Sequence, residues 1–159
     1  MATRLGAQTN HHLYLAKLLL QDLQRKLQAG EMAESLLLDA WGQAVVWHLQ
    51  DTYHALVAEL AEKAKRDLSA VQLVLEGDDV DAIDQLPAEL RELQDLSRKG
   101  WLRGLLDASR EQTQGAAQTV DPLALREVSQ QHYGSDELKR WFAAFDALID
   151  RFRETTIEY

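Results

Sequence analysis

The sequence contains no cysteine, which excludes disulfide staples, thiolate nucleophiles, zinc fingers and thiolate-bound iron–sulfur clusters together. Metal chemistry is left to histidine, aspartate and glutamate. No apolar run approaches the roughly 18 to 20 residues that span a bilayer, and the opening MATRLGAQTNHH lacks the apolar centre of a signal peptide. A soluble, cytoplasmic protein without a membrane partner is expected. Proline occurs only 2 times in 159 residues, and the β-branched Val and Ile number 8 and 3 against 28 Leu and 21 Ala. Straight-chain and small residues favour helices over sheets. The net charge of −9 leaves little room for a nucleic-acid partner, because phosphate contacts need clustered Lys and Arg.

The acidic excess is local. Between Arg66 and Arg91 stand seven acidic residues and no basic one, while the remaining chain is nearly balanced, with 17 basic against 19 acidic residues. The run EGDDVDAIDQLP, opened by Gly77 and closed by Pro87, reads as a connection between helical hairpins. Its carboxylates lack the ligand spacing and terminal Glu of a calcium loop, which favours a solvated segment. No internal repeat and no Gly, Ser or Pro linker divides the chain, so residues 1–159 form one domain in this reading.

Hydrophobic periodicity predicts a first helix over Arg4–Ala29, stopped by Gly30, with Leu5, Thr9, His12, Leu13, Ala16, Leu19, Leu20, Leu23 and Leu27 on one arc. A second runs from about Glu31 to Ala64, with its stripe at Leu38, Trp41, Val45, Leu49, Thr52, Leu56 and Leu60. Leu36, Trp47 and Ala58, with His54 among them, form a weaker apolar stripe on its opposite side. Asp67 caps a shorter helix ended by Gly77. A third long helix after Pro87 places Leu90, Leu93, Ser97, Trp101, Gly104 and Ala108 inward, and Gly100 and Gly104 let a bulky ring approach closely. Residues 113–121 read as a loop, followed by a short helix from Pro122 to about Gln131. The last helix starts at Ser135 or Asp136 and buries Leu138, Trp141, Phe142, Phe145, Leu148, Ile149 and Phe152. The expected fold is all-α, an antiparallel four-helix-bundle-like domain with short extra helices in its connections.

Bundles bind metals through His, Asp and Glu on facing helices, so His12, His48 and Asp51 are the candidate ligands for a metal or small molecule. Wheel positions weigh against the set: His48 sits at the edge of the core stripe, Asp51 about 60° further round, and His54 nearly opposite the core. Edge histidines hydrogen-bonded to their neighbours are the simpler reading, in which no metal and no cofactor is expected. The segment RKGWLRG, with Arg98, Lys99 and Arg103 around Trp101, is the most basic patch, yet its charges fall on the solvated side of the helix. No phosphate loop and no Gly-x-Ser-x-Gly elbow occurs.

Two resemblances add to this reading. The spacing of Arg126 and His132 in LREVSQQHYG resembles the Arg-x4–6-His motif of HEPN-type helical ribonucleases. That resemblance implies phosphate binding by Arg126 and acid–base catalysis by His132, although here the motif falls on a short helix rather than a long one. The stretch RLGAQTN at residues 4–10 leading into LYLAKLLL, with HLQDTYHAL at 48–56, GWLRGLL at 100–106 and LIDRFR at 148–153, resembles a small family of uncharacterised helical proteins from Pseudomonas and related gammaproteobacteria. It implies a helical fold and no particular activity.

The residues themselves favour a non-enzymatic protein that works through protein–protein contacts, as a homodimer. Leu15 and Leu18 on the outer side of the first helix, with Leu36, Trp47 and His54 on the outer side of the second, form the expected interface, since monomers rarely leave a large apolar patch uncovered. The competing expectation is that residues 67–86 or 122–131 cover them.

Overall fold

In the computed structural model, which describes residues 3–108 and 133–157, helix α1 (Arg4–Ala29) opens at Thr3, whose hydroxyl accepts the Gly6 amide at 3.0 Å. It closes at Gly30, where a φ of 67° turns the chain into the left-handed region that glycine enters at no steric cost. Both ends match the sequence expectation. The second helix is less regular. It comprises α2 (Glu34–Leu37), a π-helical turn (Leu38–Gly42) and α3 (Gln43–Lys63) without a break. A π turn inserts an extra residue, which rotates the helix before it by about 100° relative to the helix after it. The predicted stripe is altered at its start: Leu38 is buried as expected, but Leu37 and Gly42 are buried with it and Trp41 is half-buried at the rim. From Val45 onward the expected positions hold, with Val45, Leu49, Thr52, Leu56 and Leu60 all buried.

Asp67 caps α4 (Leu68–Glu76) by accepting the Ala70 amide at 3.0 Å. The acidic connection contains one further helical turn, α5 (Val80–Asp84), whose cap Asp79 accepts from the amides of Asp81 and Ala82. The expected long helix after Pro87 is two helices. Helix α6 (Ala88–Lys99) stops at the extended Gly100, and α7 resumes over residues 101–108. A β-carbon on Gly100 would lie 2.8 Å from Leu96 Cδ2 and 3.0 Å from its Cα, so only glycine folds the chain back this tightly. The break shifts the buried positions to Leu102 and Leu105, which a continuous wheel places elsewhere. Gly104 keeps the predicted role, with Trp141 Cζ2 3.4 Å from where its β-carbon would stand. Helix α8 (Ser135–Ile157) buries Leu138, Trp141, Phe145, Leu148, Ile149 and Phe152 as the periodicity requires, while Phe142, expected in the core, is half-buried against it.

Cross-helix contacts give the directions. Thr9 meets Glu59 and Asp22 meets Trp41, so α1 and α3 are antiparallel. Gly42 lies against Leu138 while Arg153 reaches Asn10, which aligns α8 with α3 and against α1. Gln50 donates to the Leu105 carbonyl at 2.9 Å, Lys63 pairs with Glu89, and Arg151 forks onto Glu92, which brings the α6–α7 limb back along both. The described residues are all helix and connection, with no strand, and no helix among them is long and apolar enough to cross a membrane. The predicted loop at 113–121, the short helix after it, and Arg126 and His132 lie outside the described residues.

Candidate functional site

The α1–α3 seam carries three sets of polar contacts. At its upper end the buried Thr9 hydroxyl donates to Glu59 Oε2 at 2.9 Å, with the Leu5 carbonyl at 3.2 Å, and Arg153 lies 3.7 Å from the same carboxylate. At the lower end Trp41 Nε1 donates to Asp22 Oδ2 at 2.8 Å. There Arg25 and Lys26 also pair with Asp22, and the Lys26 ammonium stands 4.8 Å from the Trp41 ring centroid. Each of these sets satisfies its own charges.

The middle set differs. His12 on α1 stacks on His48 of α3 with ring centroids 6.0 Å apart and planes inclined by 29°. Asp51, one turn along α3 from His48, lies with its Oδ2 3.9 Å from His12 Nδ1. That is too long for a hydrogen bond. The Nδ1 atoms of both imidazoles are buried without a hydrogen-bond partner among the described residues. One ligand-type atom from each of His12, His48 and Asp51 falls within 4.8 Å of the other two. Burial pushes the His48 imidazole below its ordinary basicity, the charge on His12 pushes it further, Asp51 opposes this, and His11 adds a small push of the same sign as His12. The shift favours the neutral ring, which is the form able to donate a lone pair.

The structure therefore brings together the three residues that wheel positions set apart. A wheel measures directions from one helix axis, whereas here the second helix supplies His12 to the gap between His48 and Asp51. Neither Nδ1 has, among the described residues, the hydrogen-bonded neighbour that the simpler reading expects. His54 stays outside the cluster, exposed, with its ring edge-on to Tyr53 at 5.3 Å. His11 is exposed, 5.8 Å from the His12 ring.

Residues close in sequence to this cluster include exposed apolar side chains. Trp47, adjacent to His48 and one turn before Asp51, is 54% exposed, and Leu18 on α1 is 42% exposed. Leu15, three residues after His12, is half-buried. Leu36, before the π turn, is exposed as well. Tyr14, one turn before Leu18, lies off the predicted stripes and is also exposed. Its i, i+4 spacing to Leu18 is the signal that could have found it. The described part of the segment expected as a cover, residues 67–86, does not bury Trp47 or Leu18. It exposes apolar Leu73 and Val80 of its own.

The basic segment does not form a free patch. Arg98 bonds Asp78 and the Gly77 carbonyl, Lys99 pairs with Asp95 at 3.9 Å, and Arg103 pairs with Asp107 at 3.6 Å. Trp101 packs edge-on against Phe145, turned into the fold rather than toward a base.

The family of unknown function DUF6586 covers residues 1–159. No curated protein and no solved structure matches the chain.

Proposed function

The chain belongs to this family of unknown function, and from that premise we propose that it is a non-enzymatic, four-helix-bundle-like protein that acts through protein contacts, pairing with a second copy of itself. The observation that carries the reading is the exposure of two large apolar side chains, Trp47 on α3 and Leu18 on the antiparallel α1. A tryptophan with more than half its surface in water is a poor residue for a solvated helix face and a frequent anchor in interfaces. Antiparallel α1 and α3 present that surface together, so a two-fold axis across it lets Trp47 of each copy pack on Leu15 and Leu18 of the other. The cross-helix contacts of α1 with α3, of α3 with α7 and of α1 with α8 support the bundle arrangement.

Sedimentation velocity over a concentration series tests the pairing. The expected result is a concentration-dependent dimer whose Kd rises about 30-fold or more in Trp47→Ala, equivalent to about 2 kcal/mol. A wild-type chain that stays monomeric throughout, or a dimer indifferent to Trp47→Ala, overturns the reading.

A further inference from the structure

We propose that His12, His48 and Asp51 form a binding site for one divalent transition-metal ion of the zinc, cobalt and nickel class. The site does not depend on self-association, because α1 and α3 of one chain supply every ligand. Its starting point is an imbalance. Protein interiors satisfy nearly all their buried polar atoms, and an unpaired buried nitrogen carries the cost of its lost hydration. Here two such nitrogens, His12 Nδ1 and His48 Nδ1, occur in adjoining rings on facing helices, with a carboxylate beside them. Neither ring can satisfy the other unless one is turned, because the stacked planes do not direct an N–H of one ring at the lone pair of the next. A cation placed between the three residues accepts a lone pair from each imidazole and balances the Asp51 charge in one step.

The donor set decides the class of ion. Two imidazoles and one carboxylate suit borderline metals with nitrogen affinity, whereas calcium and magnesium require shells of oxygen. The spacing is also suitable. Donor atoms bound tetrahedrally to zinc stand about 3.4 Å apart, given bond lengths near 2.1 Å. The ligand atoms now lie within 4.8 Å of one another, so binding requires the side chains to draw together by about 1.4 Å. Asp51 has the freedom to supply most of the movement, since its side chain is 54% exposed. His48 and Asp51, three residues apart on α3, lie on neighbouring rows of one helix, and His12 reaches them across the seam. Three protein ligands leave the fourth position of a tetrahedral ion open on the side where Asp51 meets solvent, the arrangement that lets an ion exchange and take an outside ligand.

Isothermal titration of the full chain, stripped with chelator and dialysed, with zinc chloride and with cobalt chloride tests the site. The expected result is one zinc per chain, a Kd of about 1 μM or tighter, and cobalt d–d absorption of the intensity that tetrahedral coordination gives. His48→Ala is expected to weaken binding by about 100-fold or more, and circular dichroism on the same sample reports whether it is folded. Asp51→Asn, a change at a half-exposed position that preserves shape, keeps the test valid should His48→Ala unfold, and is expected to weaken binding about 10-fold or more. Affinity unchanged in Asp51→Asn and in folded His48→Ala overturns the proposal, as does calcium or magnesium binding as tightly as zinc. Absence of zinc binding up to millimolar concentration overturns it as well.

Discussion

The two ends of the α1–α3 seam and its middle are built from the same materials and solve the same problem differently. At Thr9 and Glu59, and again at Asp22 and Trp41, a polar atom placed between packed helices finds a donor or acceptor at 2.8 to 2.9 Å, and flanking cations balance the carboxylates. At His12 and His48 two ring nitrogens are buried and unanswered, and the carboxylate stands off at 3.9 Å. The first pattern is what polar groups do when their task is to fix register, since a satisfied pair costs little and a slipped one costs much. The second leaves stability unclaimed in the centre of a seam that is otherwise well matched. A group held in that state is available to something that arrives later. This contrast separates structural polar residues from candidate functional ones on a single helix pair, without appeal to any other protein.

Substitutions at the satisfied ends sharpen the contrast first. Glu59→Leu deprives Thr9 of its charged acceptor and Arg153 of its carboxylate, and is expected to lower the unfolding free energy by about 2 kcal/mol in urea titration. Trp41→Phe keeps the ring but loses the indole donor at a rim position, so the expected loss is smaller, about 1 kcal/mol. An equal loss for both would show that exposure at the rim does not discount the bond. The smallest effect is the pH dependence of the metal-free protein. His48 is less basic folded than unfolded, so the unfolded chain binds the proton more readily. Stability is therefore full above the ordinary imidazole value of about 6.5 and falls as the pH drops through it. A His48→Leu variant is expected to lose that part of the acid slope in urea titrations at stepped pH, and an unchanged slope would assign it to other groups.

Much of the fold was legible in the sequence wherever a helix is regular and its neighbour sits on one side. α1 announced its stop through Gly30 and its extent through its apolar arc, and α8 announced its core through aromatic spacing. Legibility failed at two local irregularities. The π turn at Leu38–Gly42 inserts a residue that no composition signal marks, and it moved burial from Trp41 to Leu37. The extended Gly100 broke one long stripe into two phases, which hid Leu102 and Leu105. The candidate site failed for a different reason. His12, His48 and Asp51 could be named as residue types, but their convergence depends on the offset between two helices, a quantity that one-helix periodicity does not contain. The exposure of Leu18, Leu36 and Trp47 was legible, because each stands off the core stripe of its helix.

The measurement that reaches the contrast most directly is the urea unfolding free energy of chelator-treated His48→Leu beside that of Glu59→Leu. If the histidine set holds unclaimed stability, replacing His48 with an apolar residue removes an unpaired buried nitrogen, and the variant is expected to be more stable than the parent by about 1 kcal/mol. Glu59→Leu is expected to move the other way. A His48→Leu variant destabilised as much as Glu59→Leu would contradict the account, because the histidines would then be structural members of the seam like the residues at its ends.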